Sequence, residues 1–460
     1  MRSSSRFELV RAFGFLEAGA IVTGSVVGTG IFLVPSTIAR ETGSVAGAFL
    51  VWLVGGLLSL AGALSYAELG AAMPEAGGEY AYLRRAYGPF WGFLFGWQQL
   101  LIAKTGSIAS IATGFALFLG FFLPGIQEPA LSVPMGTHTW ALSGVQFIAI
   151  ATIVALTALN YLRIGFSGAV QSLLTLIKIA AIVLLAVLAL STGPGRWENL
   201  QGGLGLSPVH GGLGYVAALS AALWAYDGWN NLVHVGAEVR DPNRTIPAVL
   251  IWGMAGVVAI YMLANLAYFY ILPLDQAMRS ERLAQDVAVA TLGTWGGTAI
   301  TLIAAISSLA TLNGSVLSGP RVSYAMARDG LLFDRMADVH PVHRTPVKAL
   351  LLQCLAAVGL ILILGRDREA YERLFNFTMF GTWLFYGITA LSVVVLRRRC
   401  PELLRPYRTL GYPWVPLAFV FVAAAFCLGL LLERPADCGL GVAFLAAGLP
   451  FYVYCRGRGR

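Results

Sequence analysis

Residues 14–38 are apolar enough to cross a bilayer, yet the run is broken in its middle by Gly24-Ser25-Val26-Val27-Gly28-Thr29-Gly30-Ile31-Phe32. Three glycines and two hydroxyls there invite the helix to unwind. Hydrocarbon offers backbone N–H and C=O groups no partners, so such a break is tolerated only beside protein or a watery cavity. An unwound helix presents donors from one half and carbonyl acceptors from the other, which suits a zwitterionic ligand. The same small residues also allow close helix packing with no ligand at all. Both readings stand on this segment alone.

Eleven further runs of spanning length follow, over 44–71, 89–123, 141–160, 166–191, 212–237, 246–272, 296–320, 347–364, 371–397, 412–432 and 436–455. With 57% hydrophobic and 12% charged residues, the chain is an integral membrane protein. The net charge of +8 does not mark a nucleic-acid surface. If the N-terminus is cytoplasmic, 21 of the 31 Lys and Arg fall on inside segments and eight outside, with Lys104 and Lys178 within spans. That bias orients the chain with both termini in the cytoplasm, and the expected location is a plasma (inner) membrane. Glu17 interrupts the first apolar run and no small-x-small cleavage site follows, so it reads as a retained first helix rather than a signal peptide. Cys354, Cys400, Cys427, Cys438 and Cys455 show neither metal nor pairing spacing, and His340 and His343 lie in a basic loop. No metal or cofactor site is expected. The longest connections are too short to fold alone, so residues 1–460 are expected to form one membrane domain.

The sixth run carries a second break, Leu223-Trp224-Ala225-Tyr226-Asp227-Gly228-Trp229-Asn230-Asn231, where poor helix formers interrupt a span that continues on both sides. The first and sixth spans run in opposite directions. Two interrupted helices at corresponding places in two five-helix halves point to an inverted-repeat transporter.

Ser65-Tyr66-Ala67-Glu68-Leu69-Gly70 followed by Met73-Pro74-Glu75-Ala76-Gly77-Gly78-Glu79-Tyr80-Ala81-Tyr82 resembles the second span and following loop of the amino acid–polyamine–organocation superfamily. Within it the chain is most similar to L-type amino acid transporters and their bacterial permease relatives. The likeness continues through both breaks, Asp241-Pro242-Asn243-Arg244-Thr245-Ile246-Pro247, Asn313-Gly314-Ser315 and Trp383-Leu384-Phe385-Tyr386-Gly387. It implies an all-α membrane protein of twelve helices with a LeuT-type five-plus-five inverted repeat. The first repeat is then about 14–191 and the second about 212–397, with two added helices in 412–455. Substrate would sit between the breaks, its carboxylate on the Thr29 and Gly30 N–H groups beside Gly28. Its amine would meet carbonyls matching Val26, Trp224, Ala225 and Asp227, with Trp224 stacking above as a gate or serving simply as a core tryptophan.

Lys178, well inside the fifth span, is costly at that depth and marks function. The resemblance puts its ammonium where sodium-coupled relatives hold sodium, tying span 1 to span 8, where Ser307, Ser308 and Thr311 offer oxygens. Asp227 either attracts the substrate amine or caps the lower half-helix, and Lys104 is free to pair with an acid such as Asp227. Glu68 and Glu238, near cytoplasmic ends, suit gate or loop-anchoring salt bridges. The expected function is sodium-independent transport of neutral L-amino acids by alternating access; proton-coupled symport and a carrier of cationic amino acids or polyamines are the alternatives. An enzyme would need converging nucleophiles or paired carboxylates within the bilayer, and a channel a ring-forming filter; neither is written here. The loop Pro124–Trp140 has no cysteine, so no disulfide-linked heavy chain is expected.

Overall fold

The computed structural model describes residues 8–123, 125–126, 128–135, 138–162, 164–203, 212–364 and 368–458. Arg2, Arg6, Arg163, Arg366 and Arg460 of the charge asymmetry lie outside the described residues. The first half holds α1 (Phe15–Val26), α2 (Gly30–Thr42), α3 (Val45–Ala72), α4 (Glu79–Tyr87), α5 (Pro89–Gln98), α6 (Lys104–Leu119), α7 (Gly144–Tyr161) and α8 (Ile164–Thr192). Then come α9 (Gly212–Ala225), α10 (Asn231–His234), α11 (Pro242–Ile271), α12 (Leu274–Arg279), α13 (Leu283–Leu292), α14 (Thr294–Arg328), α15 (Val347–Leu364) and α16 (Arg368–Arg399). Helices α17 (Trp414–Glu433), α18 (Pro435–Ala447) and α19 (Leu449–Arg458) close the chain.

Ten membrane-length apolar helices occur among the described residues. The sixth and ninth expected runs are also helical but short. The sixth is cut at its break, leaving Gly212–Ala225, and the ninth spans only the 18 residues Val347–Leu364. The eighth runs on to Arg328, eight residues past its expected end, because the stretch beyond Pro320 stays buried against the rest of the fold. One element departs from an all-α chain. Between α6 and α7 an antiparallel hairpin pairs β1 (Pro129–Met135) with β2 (His138–Ser143), so residues 141–143 of the expected fourth span are strand. Ser143 then caps α7, accepting the Gln146 N–H at 3.2 Å.

Local chemistry sets the ends of the helices that matter most. Glu17 accepts the Gly14 N–H at 2.9 Å, so the one acid in the first run closes the N-terminus of α1. Helix α2 stops at Gly43 in the left-handed region, φ 62°. Ser44 immediately starts α3 by accepting the Gly47 N–H at 2.9 Å. Packing places the broken first span at the centre. Helix α1 is flanked by α8, α11 and α14, and α2 lies on α9. The α1–α2 span is 78% buried against 22% for α17, which leaves the last helices at the periphery.

Candidate functional site

In the first break the Val27 N–H donates to Thr23 O at 2.9 Å and the Gly28 N–H to Val26 O at 2.7 Å, which ends α1. Helix α2 restarts at Gly30, with Thr29 O accepting from Phe32 and Leu33 at 3.1 and 3.2 Å. The first N–H groups of a helix have no intrahelical acceptor, so the α2 start is a donor-rich, positive end. In the second break the Asp227 N–H reaches Trp224 O at 3.1 Å, and Gly228 adopts φ 111°, open only to glycine at low cost.

The two breaks face each other closely. A Cβ at Gly30 would lie 2.8 Å from both Cα and Cβ of Ala225, and one at Gly228 would lie 3.1 Å from the Ser25 backbone. Left-handed backbone is therefore needed at the second break, whereas Gly30 begins a regular helix and owes its identity to the neighbour.

Between the breaks lies a cavity whose wall includes Val26, Gly28, Thr29, Gly30, Trp224, Ala225 and Asp227, bringing together every residue expected to meet substrate. Its opposite wall comes from α6 and α16 and the turn before α6. Gln99 stands there on a π-helical step, Gln99–Ala103, of the kind that clusters at functional sites. Lys104, Ser107, Thr378, Thr382 and Tyr386 complete that side. Ser25 Oγ at the first break and Gln99 Oε1 and Thr378 Oγ1 on the far wall are buried without a protein partner among the described residues. The cavity thus offers spare hydrogen-bonding capacity to whatever enters.

Lys178 is fully buried, and its Nζ donates to Gly24 O at 2.6 Å. Thr311 of α14 donates to the same carbonyl at 3.2 Å, and Ser307 donates to Val27 O at 2.9 Å. The lysine therefore grips span 1 directly and meets span 8 through a shared acceptor. Ser308 turns back onto Ala304 O at 2.9 Å and takes no part.

Two expectations need correction. Lys104 does not pair with Asp227; it donates to Asn231 Oδ1, which also accepts from Ser318 at 3.0 Å. A buried ammonium is satisfied by a neutral amide oxygen as soon as geometry supplies one. Asp227 does not cap α10 either, since Tyr386 Oη donates to its carboxylate at 2.7 Å from across the cavity. The carbonyls of Val26 and Ala225 are not free: the Tyr261 hydroxyl sits at 2.9 Å from one and 3.0 Å from the other. One O–H has one proton, so it donates to one carbonyl at a time, and Val26 O, which already accepts the Gly28 N–H, keeps a lone pair while Tyr261 donates to Ala225 O.

Tyr261 escaped sequence reasoning because a tyrosine inside an apolar span carries no local signal. Tyr386 and Glu79 lay inside motif blocks that were visible, but which atoms they touch depends on the fold. Glu68 and Glu238 hold salt bridges, as expected. Glu238 takes Arg321 through two bonds of 3.0 Å, and Glu68 takes Arg397 at 2.8 and 2.6 Å and Arg405 at 3.4 Å. In α4, Arg84 bonds Asp329 and, at 3.3 Å, Glu75. Burial lowers its pKa, but Asp329, Tyr80 and Glu75 together outweigh burial and raise it.

The amino acid permease family model matches residues 13–443. The chain is 32% identical over 449 residues to the serine/threonine exchanger SteT of Bacillus subtilis, covering 96% of each chain. It is 30% identical to the b(0,+)-type amino acid transporter 1 of Mus musculus, covering 96% of this chain and 88% of the relative. Against the cystine/glutamate transporter of Homo sapiens it is 29% identical, covering 97% and 85%.

Proposed function

This chain belongs to the amino acid permease family and is a multi-pass amino acid transporter, and we propose that it moves neutral L-amino acids by sodium-independent alternating access. The observation that carries this reading is the pair of facing breaks around one cavity, with Lys178 donating to Gly24 O behind the first. A fixed ammonium there supplies the positive charge that a bound cation would otherwise bring to the unwound segment. The substrate carboxylate takes the N–H groups of Thr29 and Gly30 at the start of α2. The α-amine takes the remaining lone pairs of the Val26, Trp224, Ala225 and Asp227 carbonyls. Trp224 covers the substrate from above, and Lys178 couples α1 to α14 as the bundle rocks.

The hydroxyl and amide groups on the far wall favour side chains that hydrogen-bond, and the serine/threonine exchanger among the relatives agrees with that preference. Lys104 of the far wall and Asp227 of the second break both line the cavity, so the pocket has no net charge to select a cationic side chain. We read the chain as twelve spans in two inverted repeats, about 14–191 and 212–397, with 412–455 added outside. Both termini are cytoplasmic in a plasma membrane. Because the 124–140 connection has no cysteine, the protein works without a disulfide-linked heavy chain.

The test is counterflow. Proteoliposomes preloaded with the protein amino acids should accumulate a tritiated mixture of them in choline buffer at the rate seen in sodium buffer. Competition by single unlabelled amino acids then identifies the preferred side chain. Uptake that needs sodium overturns the role given to Lys178, and absence of any uptake overturns the reading of the cavity.

A further inference from the structure

Beneath the cavity wall lies a buried acid that the binding scheme does not use. Glu79, the first residue of α4, is fully buried, as is His234 at the end of α10. His234 Nε2 lies 2.5 Å from Glu79 Oε2. Asn230 Nδ2 donates to the same oxygen at 3.1 Å, and Tyr66 Oη donates to Oε1 at 2.9 Å. Three donors from α3 and the second half of the broken sixth span thus converge on one carboxylate. His234 Nδ1 is buried with no partner among the described residues. A bare acceptor nitrogen there costs less than an orphaned N–H, which makes the imidazole neutral, its Nε2–H donating to an ionised Glu79.

The pair is also a mechanical clamp. The Gly77 N–H donates to His234 O at 2.9 Å, and Gly77 and Gly78 take φ values of 90° and 47° to bring Glu79 inward. A Cβ at Gly78 would lie 2.6 Å from the Val233 carbonyl carbon, so α10 presses directly on this turn. Asn230 lines the cavity and binds Glu79, while its neighbour Asn231 takes Lys104 and Ser318. Movement of α10 relative to α3 and α4 must therefore pull donors away from a buried carboxylate. An ionised carboxylate resists that separation strongly, and a protonated one does not.

We propose that Glu79 and His234 together bind one proton in the transport cycle, and that this proton releases α10 and enters the cell with the amino acid. The inference rests on the transporter reading above and adds the coupling ion to it. The proton adds to the pair, taking it from one negative charge to none, and leaves once α10 has swung away and water has reached it. The other titratable groups facing the pair are Tyr66 of α3, Tyr82 of α4, Lys104 of α6, Asp227 of the break and Tyr386 of α16. Phe95 of α5 covers the imidazole with an apolar ring, 6.2 Å between centroids. Lys104 donates to Asn231 Oδ1 and Asp227 accepts from Tyr386 Oη, and the substitutions below leave both in place, so they separate the pair from these groups.

The experiment uses full-length protein in proteoliposomes holding a trapped pH-sensitive dye, with a tritiated mixture of the protein amino acids outside. The interior should acidify as label enters. The initial rate should rise at least about fivefold as the outside falls from pH 8 to pH 5.5, a range that brackets the change of charge of a histidine in water. Glu79→Gln and His234→Gln keep hydrogen-bonding groups of similar size; both should flatten the pH profile and abolish acidification while counterflow persists. Counterflow by each variant reports that it is folded. Label entry in the wild type without acidification, or a pH profile retained in both variants, overturns the proposal. Absence of label entry at every pH instead removes the transporter reading itself.

Discussion

Gly30→Ala is the smallest change that tests whether the facing breaks form the binding site. The new Cβ would start 2.8 Å from Cα and Cβ of Ala225, neither of which can rotate away. Carbon atoms settle at about 3.5–4.0 Å, so the two breaks must part by about 0.7–1.2 Å. Such overpacking costs about 1–3 kcal/mol of stability, which a helical bundle survives with a lowered melting temperature. Hydrogen bonds are less forgiving. A shift of that size takes the Thr29 and Gly30 N–H groups out of reach of a carboxylate that also stays fixed at its amine. Losing one charge-assisted bond, about 1.5–3 kcal/mol, weakens binding about tenfold to about a hundredfold. The assay is thermal stabilisation by titrated amino acid in detergent, beside Gly114→Ala, where an added Cβ meets nothing within 4 Å. The control should bind like wild type. If folded Gly30→Ala also binds within about twofold of wild type, the breaks pack against each other and the ligand lies elsewhere.

Lys178→Met removes the ammonium from Gly24 O while keeping the stem; uptake should fall at least about tenfold although melting is unchanged or raised, since apolar replacement of a buried charge is often stabilising. Full activity in that variant would show that the charge does no coupling. Tyr261→Phe deletes the hydroxyl between Val26 O and Ala225 O, and a loss of about 1 kcal/mol should appear as about fivefold weaker binding in the same thermal titration. Methyl esters and decarboxylated amines should compete poorly for uptake, and equal competition by simple amines would favour a polyamine carrier. Arg321→Ala leaves Glu238 buried and uncompensated at a cost of about 3–5 kcal/mol, to be read as a sharp loss of monodisperse protein on size exclusion.

What could be read from the chain alone was what local composition controls. Apolar length located the spans, and Gly28-Thr29-Gly30 and Asp227-Gly228 located the breaks, because a helix cannot hide poor helix formers inside hydrocarbon. Ordered motif blocks then named the family and the residues of the cavity wall. The structure altered the reasons behind those assignments. Gly30 begins a regular helix and is glycine because Ala225 lies against it, and that contact joins residues 195 positions apart. Lys104 found Asn231 instead of Asp227, and Asp227 found Tyr386, because a buried polar group binds whichever partner the bundle brings within reach. The 129–143 hairpin, the Tyr261 bridge and the Glu79–His234 pair carried no periodic or compositional mark. Helix breaks are written in neighbouring residues, whereas the partners of buried polar atoms are set by helices that meet only in three dimensions.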